Sequence, residues 1–171
     1  MVAFSGLPGV GKTTVAKSLA RSAHAIHLRV DSVEAAINNS TLGIHAAEDA
    51  GYLAIASVAK DNLLLGFDVI ADTVNPIRTT RKLWADTAEA GGAYLLNIEV
   101  ICSDRQLHRK RVESRKSDIQ GLIVPDWQEV VSRKFEPWQS DRIILDTSAI
   151  SIEEATAVVI EKMGKLNPSG L

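Results

Sequence analysis

The sequence predicts an α/β fold in three layers, a five-stranded parallel sheet with helices on both faces. Three observations carry this. Short apolar runs alternate with helical patterns along the whole chain, the order that builds parallel βαβ units. The first unit contains Gly6-Leu7-Pro8-Gly9-Val10-Gly11-Lys12-Thr13, a complete G-x-x-x-x-G-K-[ST] phosphate-binding loop with Thr14 behind it. No repeat, low-complexity tract or Pro/Ser-rich linker interrupts the 171 residues, so one domain over 1–171 is expected.

The elements follow in order. Val2-Ala3-Phe4-Ser5 is an apolar run suited to a buried parallel strand. The loop glycines let backbone N–H groups converge on phosphate oxygens, and the helix that follows adds its positive dipole end. Two glycines at the required spacing coincide by chance at about one position in 200, before Lys and Thr are demanded. The expected nucleoside-triphosphate contacts are therefore Gly6, Leu7, Pro8, Gly9, Val10, Gly11, Lys12, Thr13 and Thr14. Lys12 is expected to reach the β- and γ-phosphates, and Thr13 to offer its hydroxyl to Mg²⁺. From Lys12 onward, Val15, Leu19 and Ala23, with Ala16 and Ala20 beside them, mark one helical face.

Ala25 to Val30 reads as a second strand ending at Asp31, and Ser32 to Ile37 as a short helix. Asn38 to Glu48 is polar, contains Gly43 and reads as a loop; Ala50 to Leu65 reads as a helix stopped by Gly66. Phe67 to Asp72 is the third strand. Asn75-Pro76 is a helix start, Asn as N-cap and Pro at the first helical position, and that helix runs to Gly91-Gly92. Ala93 to Cys102 is the fourth strand. Ser103-Asp104-Arg105-Gln106 has the pattern of a capping box, as does Asp126-Trp127-Gln128-Glu129 behind Pro125. Ile143-Ile144-Leu145 is the last strand, and Ser151 caps a final helix with Ala155, Val159 and Met163 on one face. Pro168 and Gly170 fall in a fraying tail.

Composition narrows the classes. The net charge of −2 supplies no global basic field, which argues against a polynucleotide substrate unless basic residues cluster locally. Cys102 is the single cysteine and reads as an inert buried thiol. No charged-then-apolar leader and no apolar run near 18 residues is present, so a reducing cytoplasm and no membrane partner are expected. Met1 lies almost on the first strand: either the sheet edge is trimmed there or residues precede it. The four histidines have no metal-ligand spacing, and Trp84, Trp127 and Trp138 suit packing better than base stacking. No heptad or apolar patch specifies an oligomeric state.

In a parallel sheet, ligands gather at the carboxyl ends of the strands. Asp31 and Asp72 close the second and third strands and so share the rim with the phosphate loop. Asp31 suits a proton-accepting role beside an acceptor hydroxyl, although an aspartate before Ser32 also suits a helix cap. Asp72 suits Mg²⁺, directly or through water. Arg105, Arg109, Lys110, Arg111 and Arg115 lead into a polar, Gly-containing segment, and together these suggest a lid at about 104–126. Arg109 and Arg115 are the favoured phosphate-facing arginines, with Arg111 and Arg115 the competing pair on one face. Arg78 and Arg81 begin the helix after Asp72 and suit an anionic substrate or the phosphates, or equally a surface ion pair.

The chain resembles small P-loop kinases, the group of chloramphenicol phosphotransferase, adenylylsulfate kinase, polynucleotide 5′-kinases and zeta-type toxins, over nearly its whole length. Val30-Asp31-Ser32 with Glu34-Ala35 is similar to the chloramphenicol phosphotransferase segment that carries its proposed catalytic aspartate, which implies Asp31 as base. Ile70-Ala71-Asp72-Thr73 with Asn75-Pro76 and Arg81 is similar to the polynucleotide-kinase stretch after the third strand. Cys102-Ser103-Asp104, His108-Arg109 and Arg111-Val112-Glu113 look like adenylylsulfate-kinase-like ATP-binding proteins and imply the lid. Asp146-Thr147-Ser148 resembles the end of the last strand in these families, which implies Asp146 near the adenine. Where adenylylsulfate kinases carry Asp-Gly-Asp after the second strand, this chain has Arg29-Val30-Asp31.

The resemblance implies the P-loop nucleoside triphosphate hydrolase fold. The expected activity is transfer of the γ-phosphoryl of ATP, with Mg²⁺, to a hydroxyl of a small molecule. Two alternatives stand beside it: a polynucleotide- or tRNA-directed kinase, and a non-catalytic nucleotide-binding regulatory module.

Overall fold

A computed structural model describes residues 1–41 and 47–166. Gly43, Pro168 and Gly170 lie outside the described residues. The strands are β1 (Val2–Ser5), β2 (Ile26–Arg29), β3 (Val69–Asp72), β4 (Leu96–Ile101) and β5 (Ile143–Asp146). The helices are α1 (Lys12–Ser22), α2 (Val30–Asn38), α3 (Ala50–Leu64), α4 (Arg78–Ala90), α5 (Arg105–Ser114), α6 (Trp127–Ser132) and α7 (Ile152–Leu166). All strand pairings are parallel, in the order β2-β3-β1-β4-β5. The chain runs outward from β1 to β2, returns to β3, then crosses β1 to β4. The crevice that binds ligands in such sheets therefore opens at the carboxyl end of β1, where the phosphate loop begins.

Alternation within the strands divides the core in two. Val2 and Phe4 of β1, Ile70 of β3 and Ile98 and Val100 of β4 face Val15, Ala16 and Leu19 of α1 and Ala155 and Val159 of α7. Ala3, Val69 and Ala71 face the opposite way, onto Ile55, Ala59 and Leu63 of α3 and Trp84 and Ala88 of α4. A strand buried on both faces needs apolar residues at successive positions, which is why these runs are continuous rather than alternating.

Several boundaries differ from the sequence expectation. β2 ends at Arg29, so Asp31 stands in the first turn of α2 rather than at the strand's end. α4 begins at Arg78, with Ile77 at its N-cap. Asn75 is not that cap: it is buried in the left-handed region at φ 47°, which asparagine tolerates, and its carbonyl accepts from Arg81 Nε at 3.3 Å. The cap of α5 is Asp104, not Ser103: one Asp104 carboxylate oxygen accepts from Gln106 N at 2.9 Å and Leu107 N at 3.0 Å. The capping box at Asp126 and Glu129 forms as its sequence pattern expects. β3 and β4 are shorter at their amino ends than the apolar runs that contain them. Phe67, half exposed, lies outside the sheet.

Candidate active site

The phosphate loop owes its shape to positions where a side chain does not fit. Gly6 has φ 136°, and a Cβ there would lie 2.2 Å from the Val100 carbonyl oxygen. Gly9 has φ 84°, and its Cβ would meet Val112 Cγ2 at 2.5 Å. Two contacts from elsewhere brace the loop: His108 Nε2 donates to Pro8 O at 2.9 Å, and Thr147 Oγ1 to Val10 O at 2.7 Å. Trp127 packs edge-on against His108 and fixes its ring. Loop conformation thus depends on α5, α6 and the turn after β5.

The loop opens into a cleft of about 990 Å³. Lys12 is buried on its floor, with Nζ donating to Leu7 O at 2.9 Å. Burial pushes its ammonium pKa down to about 8, against the raising pull of Asp72 and Asp31, while Arg115 and Arg133 lower it further.

Beside Lys12, the Thr13 hydroxyl bonds the carboxylate of Asp72, which is 3% exposed. Burial works to raise the Asp72 pKa. His27, whose Nε2 donates to Oδ2 at 3.2 Å, outweighs it together with Lys12 and Thr13, and the group is held below the ordinary carboxylate range. A hydroxyl and an ionised carboxylate side by side are hard oxygen ligands. They fit Mg²⁺, which binds through one or two protein groups plus phosphate and water. Among the described residues no group of three or more His, Cys, Asp or Glu is placed to hold a metal ion.

Two further carboxylates come from α2. Asp31 and Glu34, three residues apart on α2, both line the cleft. Burial, and then the Asp31 charge, raises the Glu34 pKa, while Arg133 opposes. Arg111, Arg115 and Arg133 supply the cationic side. Arg111 is fixed to the turn after β5, Nη1 donating to Thr147 Oγ1 at 2.7 Å and Nη2 to Thr147 O at 3.1 Å. Residues of the loop 115–126, among them Leu122, Ile123 and Val124, complete the lining. Asp118 ties that loop to the body of the protein through Lys17 and Arg29, at 2.7 Å each.

Comparison with known proteins places this geometry in a family. The AAA domain profile matches residues 1–133. The chain is a small P-loop kinase of the AAA domain family. It is 30% identical to the adenylyl-sulfate kinase of Bacteroides thetaiotaomicron over 172 aligned positions, 94% of this chain and 81% of that one. Two solved structures share the fold: a sugar kinase from Janibacter (TM-score 0.73, 17% identity, 98% and 95% of the two chains) and the Mycobacterium tuberculosis APS kinase in complex with AMPPNP and APS (TM-score 0.69, 18% identity, 95% of each). The chain is accordingly an ATP-dependent kinase, a phosphotransferase with an alcohol group as acceptor.

The kinase's cleft gathers Pro8, Gly9, Gly11, Lys12, Thr13 and Thr14 with Asp31, Asp72 and Arg115, as the sequence suggests. Four expected site residues beyond the phosphate loop stand outside the cleft lining. Arg109 is exposed, pairs with Glu113 four residues on at 2.7 Å, and faces a separate shallow surface rather than the cleft, because Arg111 and Arg115 occupy the inward side. Arg81 is no substrate contact: buried, it donates to the carbonyls of Asn75, Pro76, Glu136 and Pro137 and lies 4.2 Å over the Trp138 ring, knitting the turn before α4 to the 135–138 segment. Arg78 is exposed outside the cleft, its backbone N–H donating to Glu136 Oε2 at 2.8 Å. Asp146 accepts from Ser103 N and from Ser148 N and Oγ, all at Oδ1, which shapes the turn that carries Thr147, and it is not among the cleft-lining residues. These bonds outweigh desolvation and hold its pKa well below the usual range.

Sequence reasoning passed over Glu34, Arg133, His27 and Asp118. Glu34 had a signal, its three-residue spacing from Asp31 on one helix face. His27 had a weaker one, because two residues before Arg29 on a strand share its face. Arg133 and Asp118 had none, since their partners are distant in sequence.

Proposed function

We propose that this kinase transfers the γ-phosphoryl of Mg-ATP to a hydroxyl of a small molecule held against Asp31. The observation that carries the reading is the arrangement of one cleft: a phosphate loop with buried Lys12, the Thr13–Asp72 pair, and Asp31 and Glu34 of α2. The loop N–H groups and Lys12 hold the triphosphate. Thr13 and Asp72 would hold Mg²⁺, which when bound shields phosphate charge. Asp31 orients the acceptor hydroxyl and takes its proton late, as suits a loose transition state that needs positioning more than strong base. Glu34, its carboxyl raised, hydrogen-bonds a second polar group of the acceptor. Arg115 and Arg133 meet charge on the transferring phosphoryl, Arg111 being tied to Thr147. The 115–126 segment acts as a lid over the cleft.

The net charge of −2 supplies no global basic field to draw in a polynucleotide, which favours a small molecule. A regulatory module has no use for Asp31. The test is ADP release with Mg²⁺ against a panel of alcohols, nucleosides and RNA ends at low and high salt. Acceptor-dependent turnover that withstands salt and is lost in Asp31→Asn is expected. Turnover on RNA ends that collapses with salt would instead indicate a polynucleotide kinase. Tight ATP binding with no acceptor effect would indicate a regulatory module.

A further inference from the structure

A second cavity, of about 420 Å³, adjoins the phosphate cleft over the edge strand β2. Its wall is apolar: Leu28, Val33, Ala54, Ile55, Val58 and, from the 115–126 loop, Ile119. Its mouth is cationic. Lys17 and Arg29 stand there, lining both this cavity and the phosphate cleft. One carboxylate meets both charges: Lys17 Nζ donates to Asp118 Oδ2 and Arg29 Nη1 to Asp118 Oδ1, each at 2.7 Å.

The partners are mismatched in burial. Asp118 is 56% exposed on a surface loop, whereas the Arg29 side chain is 8% exposed. Arg29 Nε is enclosed with no hydrogen-bond acceptor among the described residues, its nearer carboxylate oxygen, Asp72 Oδ2, lying 4.0 Å away. A buried guanidinium with an unfilled donor is costly, and planar guanidinium recognises carboxylate, sulfate and phosphate through two donors at once. Arg29 also lies beside the proposed base, with Nη2 3.9 Å from Asp31 Oδ2.

We propose that Arg29 and Lys17 form the anion subsite for the phosphoryl acceptor, and that Asp118 occupies this subsite when no acceptor is bound. Resting on the kinase reading above, this names the substrate class: an anionic alcohol whose carboxylate, sulfate or phosphate sits on Arg29 and Lys17 while its hydroxyl reaches Asp31. The apolar cavity behind the pair shelters the acceptor's carbon substituents. Arrival of the anion displaces Asp118 and frees the 115–126 loop, so acceptor binding and lid position are linked.

Two measurements test this. The first is independent of turnover: the Arg29 Nε–H resonance, identified by its loss in Arg29→Lys, is followed in protein loaded with AMPPNP and Mg²⁺ as inorganic sulfate is added. A saturable shift is expected. Removing the internal competitor in Asp118→Asn should tighten it on the order of fivefold, the scale of a largely exposed ion pair, and Lys17→Met, altering a half-exposed side chain, should weaken it. The second compares matched acceptors, 3-hydroxybutyrate with 1,3-butanediol and glycerol 2-phosphate with glycerol. The anionic member should be preferred, with KM lowered in Asp118→Asn, and the two pairs distinguish carboxylate from phosphate. A sulfate shift that is unsaturable, or unchanged in Asp118→Asn, overturns the subsite. Preference for the neutral alcohols overturns it and leaves the kinase reading standing. Intact sulfate binding with no transfer to any acceptor overturns the kinase reading, and with it the subsite's assignment to an acceptor.

Discussion

Lys12 offers a quantitative check on the phosphate site through pH alone. Its buried ammonium has a pKa of about 8 in the nucleotide-free protein. Phosphate oxygens replacing the Leu7 carbonyl would restore the charged form, so ATP binding should take up a proton wherever the free lysine is neutral. A phosphate ester loses its last proton near about pH 6, so the ligand contributes little above pH 7. From a free-state pKa of about 8, the apparent Kd for ATP should weaken about tenfold between pH 7 and pH 9, about 1.4 kcal/mol. Near pH 8, calorimetry in two buffers of different ionisation enthalpy should register about half a proton taken up per ATP bound. Lys12→Met should bind weakly at every pH and lose the slope. A Kd flat from pH 7 to 9, or a slope that survives in Lys12→Met, would refute the assignment. The linked stability effect has a definite sign. Between the folded pKa of about 8 and the unfolded value of 10.5 the unfolded chain holds more protons, so the nucleotide-free protein should gain stability as pH rises through that window, by about 3 kcal/mol in full.

Other substitutions separate roles within the cleft. Asp31→Asn should lower kcat by about 10²–10⁴ with ATP affinity little changed, measured by steady-state kinetics with a saturating acceptor. Asp72→Asn should lower kcat by about 10²–10³ and raise the Mg²⁺ concentration for half-maximal rate, read from a metal titration. Arg115→Ala should lower kcat at least tenfold while Arg109→Ala, which breaks only an exposed pair, leaves kcat unchanged; equal effects would contradict the helix orientation. Arg81→Met should destabilise the fold by about 2–4 kcal/mol in urea unfolding, because the carbonyls of Asn75, Glu136 and Pro137 lose their donor while Pro76 keeps the Glu136 N–H, with no specific effect on ATP affinity.

The phosphate loop, the alternation of strands and helices and the apolar strand runs are local patterns, set by residues within about ten positions of one another. They could be read directly, and they determine the fold class and a phosphate loop whose Lys12 and Thr13 share one cleft with Asp72. Side-chain direction was a different matter. Arg109 and Arg115 look alike on a basic helix, and only the packing of His108 and Val112 against the phosphate loop decides which side of α5 turns inward. Arg81 reads as a free cation until the 135–138 segment closes over it. Asp118 meets Lys17 and Arg29 across separations of 101 and 89 residues, which no periodicity encodes. The sequence by itself therefore determined where the phosphate loop forms, because backbone conformation and nearest neighbours suffice to build one. The tertiary structure alone decided which charges line the cleft, because that depends on distant elements meeting at one rim of the sheet.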